Sequence, residues 1–80
     1  MKMRIKRKYM IITFATTTDA MAAERFCADN GIGGRLIPVP QEISAGCGLA
    51  WRMLPEDFTV LQQKRDIWTF SVEQSREILM

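Results

Sequence analysis

The sequence contains no histidine at all. Histidine-based nucleophilic catalysis and imidazole proton relays are therefore excluded. Two cysteines are present, Cys27 and Cys47. A zinc site usually takes four ligands drawn from Cys and His, so the composition leaves no material for one, and no metal or other cofactor is expected. The cysteine spacing matches no secreted disulfide scaffold, and free thiols fit a reducing compartment. No apolar run approaches the roughly 18 residues of a membrane span. Residues 2–8 followed by the apolar residues 9–15 have the outline of a signal peptide. The apolar stretch is at the minimum length, however, and runs into Thr16, Thr17, Thr18 and Asp19, which read as a helix start. The expectation is a cytoplasmic protein without a membrane partner.

What is present describes one small globular domain. Eighty residues, 48% hydrophobic and 25% charged, are near the lower limit for independent folding and too well supplied with apolar residues for disorder. Charge is uneven. Lys2, Arg4, Lys6, Arg7 and Lys8 place five positive charges in the first eight residues of a chain whose net charge is only +2, so the remainder is mildly acidic. The basic arm, residues 1–8, admits two readings: a solvated end, or a contact for nucleic acid or an acidic partner.

Residues 9–15, rich in β-branched and aromatic side chains and apolar on both faces, read as a central strand. The three threonines offer caps to a helix running to Asn30, where Gly31 stops it. Its apolar face is Ala20, Ala23, Phe26 and Cys27. Residues 35–39 form a short strand that Pro38 and Pro40 confine to an edge. A loop over residues 41–46 leads into a third strand, residues 48–53. Pro55 opens a second helix with Glu56 and Asp57 at its positive end, and Lys64 and Arg65 close it. Residues 67–72 read as the fourth strand and residues 75–80 as a C-terminal tail, giving a single domain over 9–74. The order βαββαβ predicts a ferredoxin-like α/β (α+β) sandwich: a four-stranded antiparallel sheet of order 4-1-3-2 with two helices on one face. In that topology Thr16 to Asp19, Pro38 to Cys47, and Lys64 with Arg65 all lie at one end of the sheet.

Cys27 falls on an apolar helical stripe and reads as a small core residue. It lies about 13 Å along the helix from the cap, too far for a bridge to Cys47. Cys47 is different. Gly46 and Gly48 flank it, so a reagent can approach. The N-terminus of the first helix, with Thr16, Thr17 and Thr18, points toward it, and a helix N-terminus favours an anion. Arg35, Lys64 or Arg65 can add positive charge. The bland alternative is a small residue filling a tight strand entry. The run Gly31-Ile32-Gly33-Gly34 lacks a P-loop lysine and reads as a turn. Trp51, Trp68 and Tyr9 would make a stacking platform for RNA only if they faced outward, and no RNA-recognition signature is readable.

Residues 13–52 resemble a family of small bacterial selenium/sulfur carrier-like proteins. The resemblance rests on Asp19-Ala20 with Ala23-Glu24, then Gly31-Ile32-x-Gly34-Arg35-Leu36-Ile37-Pro38-x-Pro40, then Glu42-Ile43-Ser44-x-x-Cys47-Gly48-Leu49-Ala50. It implies a protein that holds sulfur or selenium on a cysteine and hands it to a partner. The cysteine maps onto Cys47, and Ser44, Gly48 and Arg35 map onto motif positions around it. The basic arm, Cys27 and Trp51 depart from the pattern. With carboxylates as the only available general bases, a carrier is expected rather than a stand-alone enzyme. Its partners would be a donor such as a cysteine desulfurase and an acceptor enzyme. The alternative is a non-enzymatic interaction module that dimerises through its open sheet face, with a structural Cys47.

Overall fold

The computed structural model describes residues 6–80, and residues 1–5, including Lys2 and Arg4 of the basic arm, lie outside the described residues. The elements are β1 (Lys8–Thr13), α1 (Thr17–Asp29), β2 (Arg35–Pro38), β3 (Leu49–Met53), α2 (Pro55–Gln63), a 3₁₀ turn (Arg65–Ile67) and β4 (Gln74–Leu79). The four strands form one antiparallel sheet in the order β2-β3-β1-β4, which from the other edge reads β4-β1-β3-β2. Among the described residues no helix is long and apolar enough to cross a membrane.

The alternation along β1 divides the core. Ile12 and Phe14 point to one face, where they meet Ala20, Ala23, Phe26 and Cys27 of α1, Leu61 of α2, and Trp51 and Met53 of β3. Both helices therefore pack on this face. Ile11 points to the other face and joins Ala50 and Ile43 in a smaller cluster. α1 starts where the threonines predict. Thr16 is the N-cap, its hydroxyl accepting from the Asp19 amide at 3.2 Å and donating to Asp19 Oδ2 at 3.0 Å. The turn after α1 depends on Gly34, whose φ of +142° is open to glycine. A Cβ there would stand 2.5 Å from Trp51 Nε1.

One element differs from the sequence expectation. Residues 67–72 are not the fourth strand, and residues 75–80 are not a tail: the strand is Gln74–Leu79. The apolar character of 67–72 serves packing instead of pairing. Trp68 stacks on Phe70 at 5.0 Å, and Phe70 meets Phe14 and Phe26 edge-on at 6.2 and 5.6 Å. Trp68 Nε1 donates to the Leu61 carbonyl at 2.9 Å. This aromatic segment closes one end of the space between helices and sheet. β4 is polar because it is an edge strand, and its residues Ser75, Arg76 and Glu77 are exposed.

Candidate functional site

Cys47 sits at the end of the β2–β3 loop, where that loop crosses the C-terminal end of β1. Its amide donates to the Phe14 carbonyl at 3.1 Å, which fixes its backbone to β1. The preceding residue is held as well. Gly46 N donates to Glu73 Oε1 at 3.1 Å, and a Cβ on Gly46 would lie 3.1 Å from the Ala15 carbonyl oxygen. Gly48 has nothing within 4 Å of the corresponding position, so this flank of the cysteine is open.

The sulfur has two polar neighbours. The Leu49 amide donates to Cys47 Sγ at 3.3 Å, and Thr17 Oγ1 lies 3.9 Å away. Sγ also faces the Leu49 carbonyl at 3.7 Å. A backbone N–H aimed at sulfur favours electron-rich sulfur in the way an oxyanion hole favours oxygen. The side chain is nonetheless buried at 7% exposure, packed with the helix-side core.

The remaining expected site residues divide. Thr16 and Thr17 are at this end, Thr16 as the cap of α1 and Thr17 beside the sulfur. Thr18 is exposed and makes no side-chain hydrogen bond among the described residues. Ser44 is exposed, and its carbonyl accepts from Gln74 Nε2. Arg35 is not here. The register places Pro38 opposite Leu49 and Arg35 opposite Arg52, so Arg35 lies three residues, about 10 Å along the strands, beyond the Pro38–Leu49 pair and further still from Cys47. Arg65 stands over the Trp68 ring at 5.8 Å. Among the described residues no cation is hydrogen-bonded to Cys47 Sγ, so the expected positive surround is not seen at the sulfur. Two carboxylates accept backbone amides at this end: Asp19 from Ser71 at 3.2 Å, and Glu73 from Gly46. Neutral dipoles, not cations, face the sulfur.

Three residues of the site escaped the sequence reading because β4 was misplaced. Glu73 holds Gly46, Gln74 holds Ser44, and Arg76 Nη1 donates to the Glu42 carbonyl at 3.0 Å. Together with Ile43, buried at 5% exposure against Ile11 and Ala50, they bind residues 40–46 as a strap across the helix-free face. The face expected to be open is covered at this end.

Cys27 is fully buried in the helix-side core, and both cysteines are free. Burial, and secondarily the Asp57 carboxylate, push the Cys27 thiol up to about 11. It is a neutral core thiol near pH 7. The reactive candidate is the other one.

A family model described as "Putative Se/S carrier protein-like" matches residues 8–64, from the first residue of β1 to the residue capping α2. The chain belongs to this family. The matched segment contains Cys47, Leu49 and Thr17, but not β4 or its clasp on the strap. No curated protein and no solved structure matches the chain.

Proposed function

We propose that this member of the Se/S carrier-like family carries sulfur or selenium on Cys47, within a ferredoxin-like sandwich working in the cytoplasm. The observation that supports this most directly is the Leu49 amide donating to Cys47 Sγ, in a segment where the family match and the sulfur's polar neighbours coincide. In the loading step the Cys47 thiolate attacks the terminal sulfur of a donor persulfide, such as that on a cysteine desulfurase. The new bond joins Cys47 Sγ to that sulfur, the donor's S–S bond breaks, and the donor leaves as a thiolate. In the unloading step an acceptor nucleophile attacks the same terminal atom, and Cys47 departs as thiolate. Selenium follows the same path with an S–Se bond. The chain supplies the resting place, and its partners supply the activated groups.

The alternative, an interaction module with a structural Cys47, draws on the 7% exposure of that side chain. One experiment separates the two readings. Purified protein is treated with inorganic polysulfide and its intact mass measured. The carrier reading expects the mass of one added sulfur atom, retained in Cys27→Ala and absent in a folded Cys47→Ser. Adduct-free wild-type protein, or an adduct that persists in Cys47→Ser, would move the assignment to the interaction module.

A further inference from the structure

At the end of the sheet away from Cys47 there is a second constellation of chemically capable side chains. The register sets Arg35 directly opposite Arg52 on neighbouring strands. Both side chains line a groove of about 350 Å³, together with Arg7, Tyr9, Asp57 and the backbone at Gly33 and Gly34. Like charges at directly opposed strand positions repel, so a protein that keeps such a pair is carrying an uncompensated cost. Among the described residues none of the three arginines forms an ion pair; the pairs present are Lys8 with Glu77 and Arg25 with Asp29. Asp57 is the one carboxylate lining the groove.

We propose that this groove binds the phosphoryl group of a small phosphorylated molecule through Arg35, Arg52 and Arg7. Three guanidinium groups and one carboxylate leave the walls with a net charge of about +2, which matches a phosphate monoester's charge of about −1.5 to −2 near pH 7. A single carboxylate ligand would leave most of that charge unmatched. The planar guanidinium fork suits a tetrahedral oxyanion, which can accept paired N–H bonds from more than one arginine. Arg52 is already oriented, its guanidinium carbon 4.6 Å from the centre of the Tyr9 ring, so less freedom is lost on binding. The volume falls in the range of small-molecule sites, about 300–1,000 Å³. A polynucleotide would call for a basic track with successive stacking platforms. Here the one aromatic ring lining the groove, Tyr9, is already paired with Arg52. The Gly31-to-Gly34 run remains a turn, and the arginine side chains make the contacts.

This proposal does not depend on the carrier reading, because the groove contains no cysteine and lies at the other end of β3. The test is an amide-resolved NMR titration of the whole chain with inorganic phosphate and with pyrophosphate, at ionic strength held constant with sodium chloride. The expected result is a saturable shift centred on Gly33, Gly34, Arg35, Arg52 and Met53. The affinity should fall about tenfold or more in Arg35→Ala, and Arg35→Lys, which keeps the charge and loses the fork, should fall between the two. Cys47→Ser should bind as wild type. Arg35 is exposed, and each variant's unliganded spectrum checks its fold. Non-saturable shifts shared with chloride would overturn the proposal, as would an unchanged affinity in folded Arg35→Ala. So would binding of a single strand of about a dozen nucleotides that pyrophosphate fails to displace.

Discussion

The two thiols of this chain lie in one buried core cluster and differ in their polar contacts, the Leu49 amide donating to Cys47 Sγ. Cys27 has no solvent exposure and is held protonated to about pH 11, against an ordinary value of 9.0. Between those values the unfolded chain releases this proton while the folded chain keeps it. The unfolded state then binds fewer protons, so stability falls as pH rises from about 9 toward 11. A two-unit difference corresponds to roughly 2–3 kcal/mol. Denaturant midpoints at pH 8 and pH 10.5 should therefore drop further in wild type than in Cys27→Ala. Equal drops would show that Cys27 does not titrate with unfolding. The apolar stripe of α1 made this residue's burial readable in advance. The position of Cys47 at the β2–β3 loop exit was readable too, from the topology and the Ile-Ser-x-x-Cys-Gly pattern. Its closest partner was not, because Leu49 acts through a backbone amide, and every non-proline residue carries one.

Among the elements, the strap over residues 40–46 leads directly into Cys47. It is fastened by the buried Ile43 and by contacts from Glu73, Gln74 and Arg76. Ile43→Ala removes the apolar anchor from a cluster that, among the described residues, has three buried members, Ile11, Ile43 and Ala50. The expected outcome is a faster alkylation of Cys47 in the folded protein, by about tenfold or more, as local opening becomes cheaper than global unfolding. An unchanged rate beside a lowered global stability would mean that the sulfur is reached without moving the strap. This part of the structure was hidden from the sequence because hydrophobic periodicity reports burial, not pairing. Residues 67–72 had the composition of a strand, but Ile67 is exposed in the 3₁₀ turn while Trp68, Phe70 and Val72 pack on the core as an aromatic plug. Residues 75–80 had the composition of a tail, and all but the last of them lie in the edge strand Gln74–Leu79. Arg35 was placed beside Cys47 for a related reason: its strand was correctly identified, but the register that puts it against Arg52 is a tertiary property.

Across the whole molecule, the last sixteen residues complete a fold that the family match covers only through residue 64. β4 pairs with β1 along its entire length, from Lys8 opposite Leu79 to Thr13 opposite Gln74. Phe70, which precedes it, is buried edge-on against the rings of Phe14 and Phe26, and losing a buried phenylalanine alone costs about 3–5 kcal/mol. A chain ending at Lys64 should therefore lack a cooperative unfolding transition by circular dichroism. A sharp transition in that fragment would show that three strands and two helices suffice. On the proposed carrier reading, the same closure bears on cargo. Cys47 has its backbone pinned to Phe14 and its sulfur walled in by Thr17 and Leu49. An atom added to that sulfur must take its volume from these neighbours, so a charged carrier and a spent one would present different contours, and a partner could tell them apart by shape before any bond is exchanged.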